Sequence, residues 1–257
     1  MFRLDNKVAL ITGGGSGIGR AMAEVFAQQG AIVYILDIDQ PGAQATVEAI
    51  NQAGGKAFFI ACNVSNQDQV RQAVEAVLAE AGGVQLIINN AGIAHVGNAE
   101  ATRPEDLDRL LAVNVKGMAH VIQAALPHLK KQGGTILNMA SVAATIGLAN
   151  RFAYSMTKGA VIGMTLSVAK DYLAYNIRCN CISPGRVHTP FVDGYLATNY
   201  PGQEGEMFDK LAKTQPIGRM AEPREIAYLA LFLCSEEASF ITGCDYPIDG
   251  GFTRLNS

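Results

Sequence analysis

Short apolar runs of strand length alternate with longer amphipathic stretches along the whole chain. This alternation limits what the chain can fold into more than any other feature, because parallel strands need long crossovers and helices usually supply them. β-rich runs at 7–12, 31–37, 57–61, 85–89, 134–140, 177–183 and 245–248 predict seven strands. Helical periodicity at 18–29, 41–53, 67–81, 104–131, 152–175 and 223–234 predicts the elements between them. Gly30 and Gly54-Gly55 stand where helices should stop, and Pro41, Pro104 and Pro223 where they should start. Right-handed crossovers then give an α/β fold, a doubly wound parallel seven-stranded sheet with helices on both faces. A single domain over 1–257 is expected. The 152–175 helix is apolar nearly all round, so it is expected to be buried. Only 187–215, rich in Pro, Gly, Tyr and Asn, breaks the rhythm. A long excursion at that place reads as a substrate loop or lid.

Composition removes several function classes. Charged residues are 17% of the chain and the net charge is −3, with no basic run, which argues against nucleic acid or an anionic membrane as partner. Every apolar stretch is interrupted by charge or glycine before it could span a bilayer, and the first residues carry no signal-peptide core. The five cysteines form no Cys-x-x-Cys pair, and the four histidines are scattered, so no metal site is expected. Cys179 and Cys181 alternate on a predicted strand and read as core residues sharing one face. A reduced, soluble, cytoplasmic protein is the expectation.

Thr12-Gly13-Gly14-Gly15-Ser16-Gly17-Ile18-Gly19 lies between the first strand and the first helix. Glycines there allow a tight turn, backbone approach to a pyrophosphate and close helix–strand packing. The helix N-terminus offers free N–H groups to the phosphates. Gly13, Ser16, Gly17, Ile18 and Gly19 are therefore candidate cofactor contacts. Asp37 closes the second strand, where a carboxylate can bind the adenosine ribose hydroxyls and repel a 2′-phosphate. No Arg or Lys stands at Ser16 or Ile38 to offset that charge. The predicted cofactor is NAD.

Tyr154 and Lys158 are four residues apart, on one helical face, with Ser141 upstream. An ammonium beside a phenol favours phenolate, and a tyrosine so poised can exchange a proton near neutral pH. Thr12–Gly19, Asn89-Asn90-Ala91-Gly92, Asn114, Ser141, Tyr154 with Lys158, Pro184-Gly185 and Ile248-Asp249-Gly250-Gly251 occur in one order over the whole chain. In that combination the chain resembles the short-chain dehydrogenase/reductase family, of Rossmann-type fold. The resemblance implies that Tyr154 is the general acid/base and that Lys158 holds the nicotinamide ribose. It implies that Ser141 orients the substrate oxygen and that Asn114 holds a relay water through its helix backbone. Asn90, Ala91 and Gly92 would line the adenosine side. Val187 and Thr189, after Pro184 and Gly185, would fix the carboxamide. Many relatives have Asp at the place of Asn63; Asn63 and Val64 are retained as adenine contacts, since Asn can donate or accept. A homotetramer built on the 152–175 helix and the C-terminal strand is also implied.

Arg151 precedes Tyr154 by three residues and could clamp a substrate carboxylate; a structural or surface ion pair is the competing reading. His95 and Arg186 are further candidate substrate contacts, each equally readable as an exposed loop residue. Tyr195, Asn199 and Tyr200 could close over a polar ligand. Asn150-Arg151-Phe152-Ala153-Tyr154 and 177–181 are similar to the type 2 3-hydroxybutyrate dehydrogenase branch and to bacterial sugar-acid dehydrogenases such as those acting on 2-keto-3-deoxy-L-fuconate. The expected activity is NAD-dependent oxidation of a secondary alcohol in a small-molecule hydroxy acid or sugar acid. The alternatives are an NADPH-dependent 3-oxoacyl-carrier reductase and a non-catalytic NAD-binding sensor.

Overall fold

The computed structural model describes residues 1–255, the Asn199 side chain aside. Its seven strands are β1 (Val8–Thr12), β2 (Ile32–Asp37), β3 (Lys56–Ala61), β4 (Leu86–Asn89), β5 (Gly134–Met139), β6 (Ile177–Pro184) and β7 (Asp245–Ile248). They form one parallel sheet in the order β3-β2-β1-β4-β5-β6-β7. The predicted fold class is correct. Alternation within strands splits the core into two layers. Ala9, Ile11, Val33, Ile35, Leu86 and Ile88 face one side, where α1 (Gly17–Gln28), α2 (Gln40–Gln52) and α9 (Pro223–Cys234) pack. Val8, Leu10, Tyr34, Leu36 and Ile87 face the other, where α3 (Gln67–Ala81), α5 (Met118–Gln132) and α6 (Phe152–Asp171) pack. Cys179 and Cys181 both belong to the second layer, on one face as their spacing predicts.

The order of winding reverses between β1 and β4, and loops that leave the carboxyl ends of the strands on either side diverge there. The Gly-rich turn, Asp37, Asn90, Ser141 and Pro184-Gly185 all follow or end strands at that edge.

Three expectations change. The 104–131 helix is interrupted: α4 (Pro104–Leu110) passes into a π-helical stretch, Leu111–Gly117, before α5. Segment 187–215 holds two helices, α7 (Pro190–Asn199) and α8 (Glu204–Ala212). Its Pro and Gly residues disguise them, but Pro190 occupies the first turn, where its missing N–H costs nothing. The 152–175 helix ends at Asp171 and is not buried all round: Phe152, Met156 and Leu166 are exposed, and the glycines at 159 and 163 have open space above them.

Candidate active site

The two loops at the crossover are stitched by side chains. Thr12 Oγ1 accepts from the Asn90 and Ala91 N–H groups, both at 3.0 Å. Asn90 Nδ2 donates back to the Thr12 and Gly13 carbonyls at 3.1 and 3.0 Å. No side chain larger than hydrogen fits inside this stitch. A Cβ on Gly13 would lie 2.9 Å from Ala91 Cα, and one on Gly19 would lie 2.0 Å from the Gly13 carbonyl oxygen. Gly17, at φ +53°, faces Thr189 across the groove; a Cβ there would stand 3.4 Å from Thr189 Cγ2. Ser16 takes the N-cap position of α1 without a side-chain capping bond, and no acidic residue occupies the first turn. The first-turn N–H groups of Ile18 and Gly19 therefore remain available to an anion.

Asp37 is fixed at the groove wall. Its Oδ2 accepts from Gly15 N–H at 2.8 Å and its Oδ1 from Asp39 N–H at 2.9 Å. A glycine cradle, open helix N–H groups and an anchored carboxylate together fit a dinucleotide. Asn63 fits less simply. Its Oδ1 accepts from both the N–H and the hydroxyl of Ser65, at 3.0 and 2.8 Å, so both lone pairs are used. Of the two roles expected for Asn63, donor or acceptor, the Ser65 bonds leave its NH₂ free to donate. Val64 is buried, and a Cβ on Gly117 would meet its Cγ2 at 2.8 Å.

The residues expected to serve proton transfer come together from three elements. Ser141 follows β5 and caps a short turn, accepting from Ala143 N–H at 3.2 Å. Tyr154 and Lys158 lie in the first half of α6. Lys158 is buried, with Nζ 5.7 Å from the Tyr154 ring centroid and donating to the Met139 carbonyl at 2.7 Å. Gly92 leaves room beside it: a Cβ there would stand 3.6 Å from Nζ. Asn114 is buried in the π-helical stretch. It accepts from Ile93 N–H at 2.8 Å and donates to the Ile93 carbonyl at 2.9 Å and to Thr157 Oγ1 at 3.1 Å. Its side chain thus ties α5's N-terminal extension to the loop after β4 and to α6. The change to i→i−5 bonding there is a device that recurs at functional sites.

Burial pushes the Tyr154 phenol above its ordinary range, and the Ser141 hydroxyl and the Arg151 charge only partly oppose it. Burial pushes the Lys158 ammonium down to about 8. The expectation that Lys158 would draw the Tyr154 pKa down is therefore corrected for the protein alone. Desolvation outweighs attraction, and the ammonium is already engaged with Met139.

At the start of α6, around Arg151, opens a cleft of about 430 Å³, lined by Ala94, His95, Arg151, Phe191, Tyr195 and Thr198 among others. Arg151 is the N-cap of α6, outside its helical turns, and donates from Nη1 to the His95 carbonyl at 3.3 Å. Among the described residues no carboxylate pairs with it. The His95 ring lies 3.6 Å from Asp106, and its Nδ1 is buried without a hydrogen-bond partner. Arg186 is not on the wall of this cleft, but its charge interacts with Arg151 and Tyr195, which are. Its Nε donates to Thr214 Oγ1 at 2.9 Å, and it borders a separate cavity of about 140 Å³ with Gln215, Arg219 and Asp249. Tyr195 and Tyr200 stack edge to face at 6.0 Å, with Tyr195 on the cleft wall, while the Asn199 side chain lies outside the described residues. Sequence reasoning passed over Thr12, Thr157 and Gln215. The first two sit inside recognised motifs, but their work is to hold neighbours. Gln215 has no local signal at all.

Residues 13–253 match the family model described as enoyl-(acyl carrier protein) reductase. D-threitol dehydrogenase of Mycolicibacterium smegmatis is 39% identical over 98% of this chain and 95% of its own length. A 3-oxoacyl-acyl-carrier-protein reductase of Thermotoga maritima is 36% identical over 97% and 98%. The crystal structure of levodione reductase superposes with a TM-score of 0.95 at 32% identity, covering 99% of this chain and 100% of that one. With the glycine cradle, the stitched strand ends and the Ser141, Tyr154 and Lys158 cluster, these matches make the chain a member of the short-chain dehydrogenase/reductase family, an oxidoreductase of nicotinamide-dependent type.

Proposed function

We propose that this protein is an NAD-dependent dehydrogenase that oxidises the secondary alcohol of a small hydroxy acid or sugar acid. The observation that carries the acid assignment is Arg151, a guanidinium on the cleft wall bonded to a neutral carbonyl rather than to a carboxylate among the described residues. Such a fork suits a carboxylate in bidentate geometry. A bound nicotinamide cofactor supplies the hydride acceptor. Tyr154 Oη, as the phenolate that the positive charge of an oxidised nicotinamide would favour against burial, removes the hydroxyl proton, and Ser141 donates a hydrogen bond where negative charge grows on the substrate oxygen. Lys158 Nζ, beside the glycine floor at Gly92, would hold a ribose hydroxyl. Ile18, Gly19 and Ser16 bind the pyrophosphate, Val187 and Thr189 orient the carboxamide, and α7 covers the substrate as part of a lid over 187–215. Asp37, without a basic neighbour at Ser16 or Ile38, supports NAD over NADP. The exposed apolar face of α6, with Phe152, Met156 and Leu166, supports self-association, in this family a homotetramer. Five free cysteines support a reducing, cytoplasmic setting.

A screen of cofactor reduction over hydroxy acids, sugar acids and neutral alcohols tests this. Arg151→Ala should raise KM for the acid about tenfold or more, the value of one charge-assisted pair, and leave a neutral alcohol nearly unchanged. Equal effects on both would remove the acid assignment. Tyr154→Phe should lower kcat about 100-fold or more with either. A second reading, reduction of a 3-oxoacyl thioester with NADPH, is favoured by the 36% identity to the Thermotoga maritima reductase. Faster turnover of an acetoacetyl thioester with NADPH would establish it instead.

A further inference from the structure

The segment that returns from α8, residues 214–221, is bound back against the loop that leaves β6. Ala221 N–H donates to the Arg186 carbonyl and His188 N–H to the Ala221 carbonyl, both at 2.9 Å, so Val187 is held in a short parallel bridge. Backbone pairing leaves Arg186 N–H unserved. Gln215 serves it: Oε1 accepts from Arg186 N–H at 3.3 Å, and Nε2 donates to Thr214 Oγ1 at 3.1 Å. The same Thr214 hydroxyl accepts from Arg186 Nε at 2.9 Å and donates to the Leu211 carbonyl of α8 at 2.6 Å. Gln215 is 2% exposed, and a Cβ on Gly185 would lie 2.5 Å from its Oε1. Gly185 N–H in turn donates to the Ile248 carbonyl of β7 at 3.0 Å. The Gln215 amide thus packs against Gly185, just beyond the paired ends of β6 and β7.

We infer that Gln215 is a positioning residue for the nicotinamide end of the cofactor: with Thr214, it locks the C-terminal foot of the substrate cover to the 185–189 loop, so that loop and cover hold one fixed relation. This deepens the proposed function and rests on its assignment of Val187 and Thr189 as carboxamide contacts. The Arg186 N–H is part-buried, and among the described residues this side chain alone accepts from it. The opposite wall of the groove, at Asp37 and Gly13–Gly19, has its own bonds and is independent of Gln215.

The test uses Gln215→Met, which keeps length and removes the acceptor, and Thr214→Val, which removes the shared hydroxyl at lower risk to folding. In cofactor-free protein, hydrogen exchange over 185–190 should speed about tenfold in both, while exchange over 13–19 stays at the wild-type rate. By calorimetry, NAD should bind about tenfold more weakly and ADP-ribose, which lacks the nicotinamide, within about twofold of wild type. Unchanged exchange over 185–190, or equal losses for NAD and ADP-ribose, would overturn the positioning role. Wild-type protein that binds neither ligand would instead overturn the cofactor assignment on which it stands.

Discussion

Replacing Lys158 by Met should change how stability responds to pH more than stability itself. Met matches the length of the lysine stem and carries no charge. Burial lowers the Lys158 ammonium from its ordinary 10.5 to about 8. At 1.36 kcal/mol per pH unit, the charged form costs the folded state about 3 kcal/mol. Below pH 8 both folded and unfolded chains carry the proton, and the cost is present in full. Between pH 8 and 10.5 only the unfolded chain carries it, so wild-type stability gains from this group as pH rises. The variant escapes the cost but leaves the Met139 carbonyl without its 2.7 Å donor, a loss of about 1–3 kcal/mol. Near pH 7 the two effects largely offset, and the variant should be as stable as wild type or slightly more stable. By pH 9.5 wild type should have gained about 2 kcal/mol relative to the variant. Urea unfolding at both pH values, at one protein concentration, measures the difference. A wild-type-minus-variant difference that stays constant within about 0.5 kcal/mol would refute the argument that the buried ammonium is a strained charge.

Two further outcomes follow from the groove. Asp37→Ala removes the acceptor for Gly15 and Asp39 N–H and the repulsion of a 2′-phosphate. Steady-state rates with both cofactors should therefore show the proposed NAD preference narrowing about tenfold or more; an unchanged ratio would place the discrimination elsewhere. Gly19→Ala sets a Cβ 2.0 Å from the Gly13 carbonyl oxygen and 2.5 Å from Asn90 Nδ2. Overpacking of about 2 kcal/mol should lower the melting temperature about 4–8 °C, and a variant melting with wild type would mean the stitch between β1 and β4 has slack.

Much of the molecule is legible in the residue order. Alternating periods of two and 3.6 give the layers, and a parallel sheet with short connections leaves few topologies. The motif residues Gly13, Asp37, Asn90, Ser141, Tyr154 and Lys158 can be singled out because the chemistry needs those side chains at the ends of those strands. The α7 and α8 helices were hidden because Pro, Gly and Tyr dominate a segment whose order comes from contact with the rest of the fold, as in the His188 ring packed 4.9 Å from Phe208. The exposed face of α6 was hidden for the opposite reason. An all-apolar helix is equally suited to burial in its own fold and to burial against a partner, and periodicity cannot separate the two.

By itself, then, the sequence determines the sheet, the place of the glycine-rich cradle and which residues are candidates for proton transfer, since these follow from local periodicity and from residue types at strand ends. Tertiary structure decides what surrounds them. Burial sets Tyr154 high and Lys158 low, a free lone pair is denied to Asn63, Arg151 reaches the cleft while Arg186 bonds to Thr214, and Gln215 accepts from the Arg186 N–H beyond the end of β6. Each of these depends on groups far apart in the chain, and desolvation and hydrogen-bond saturation are fixed only when those groups meet.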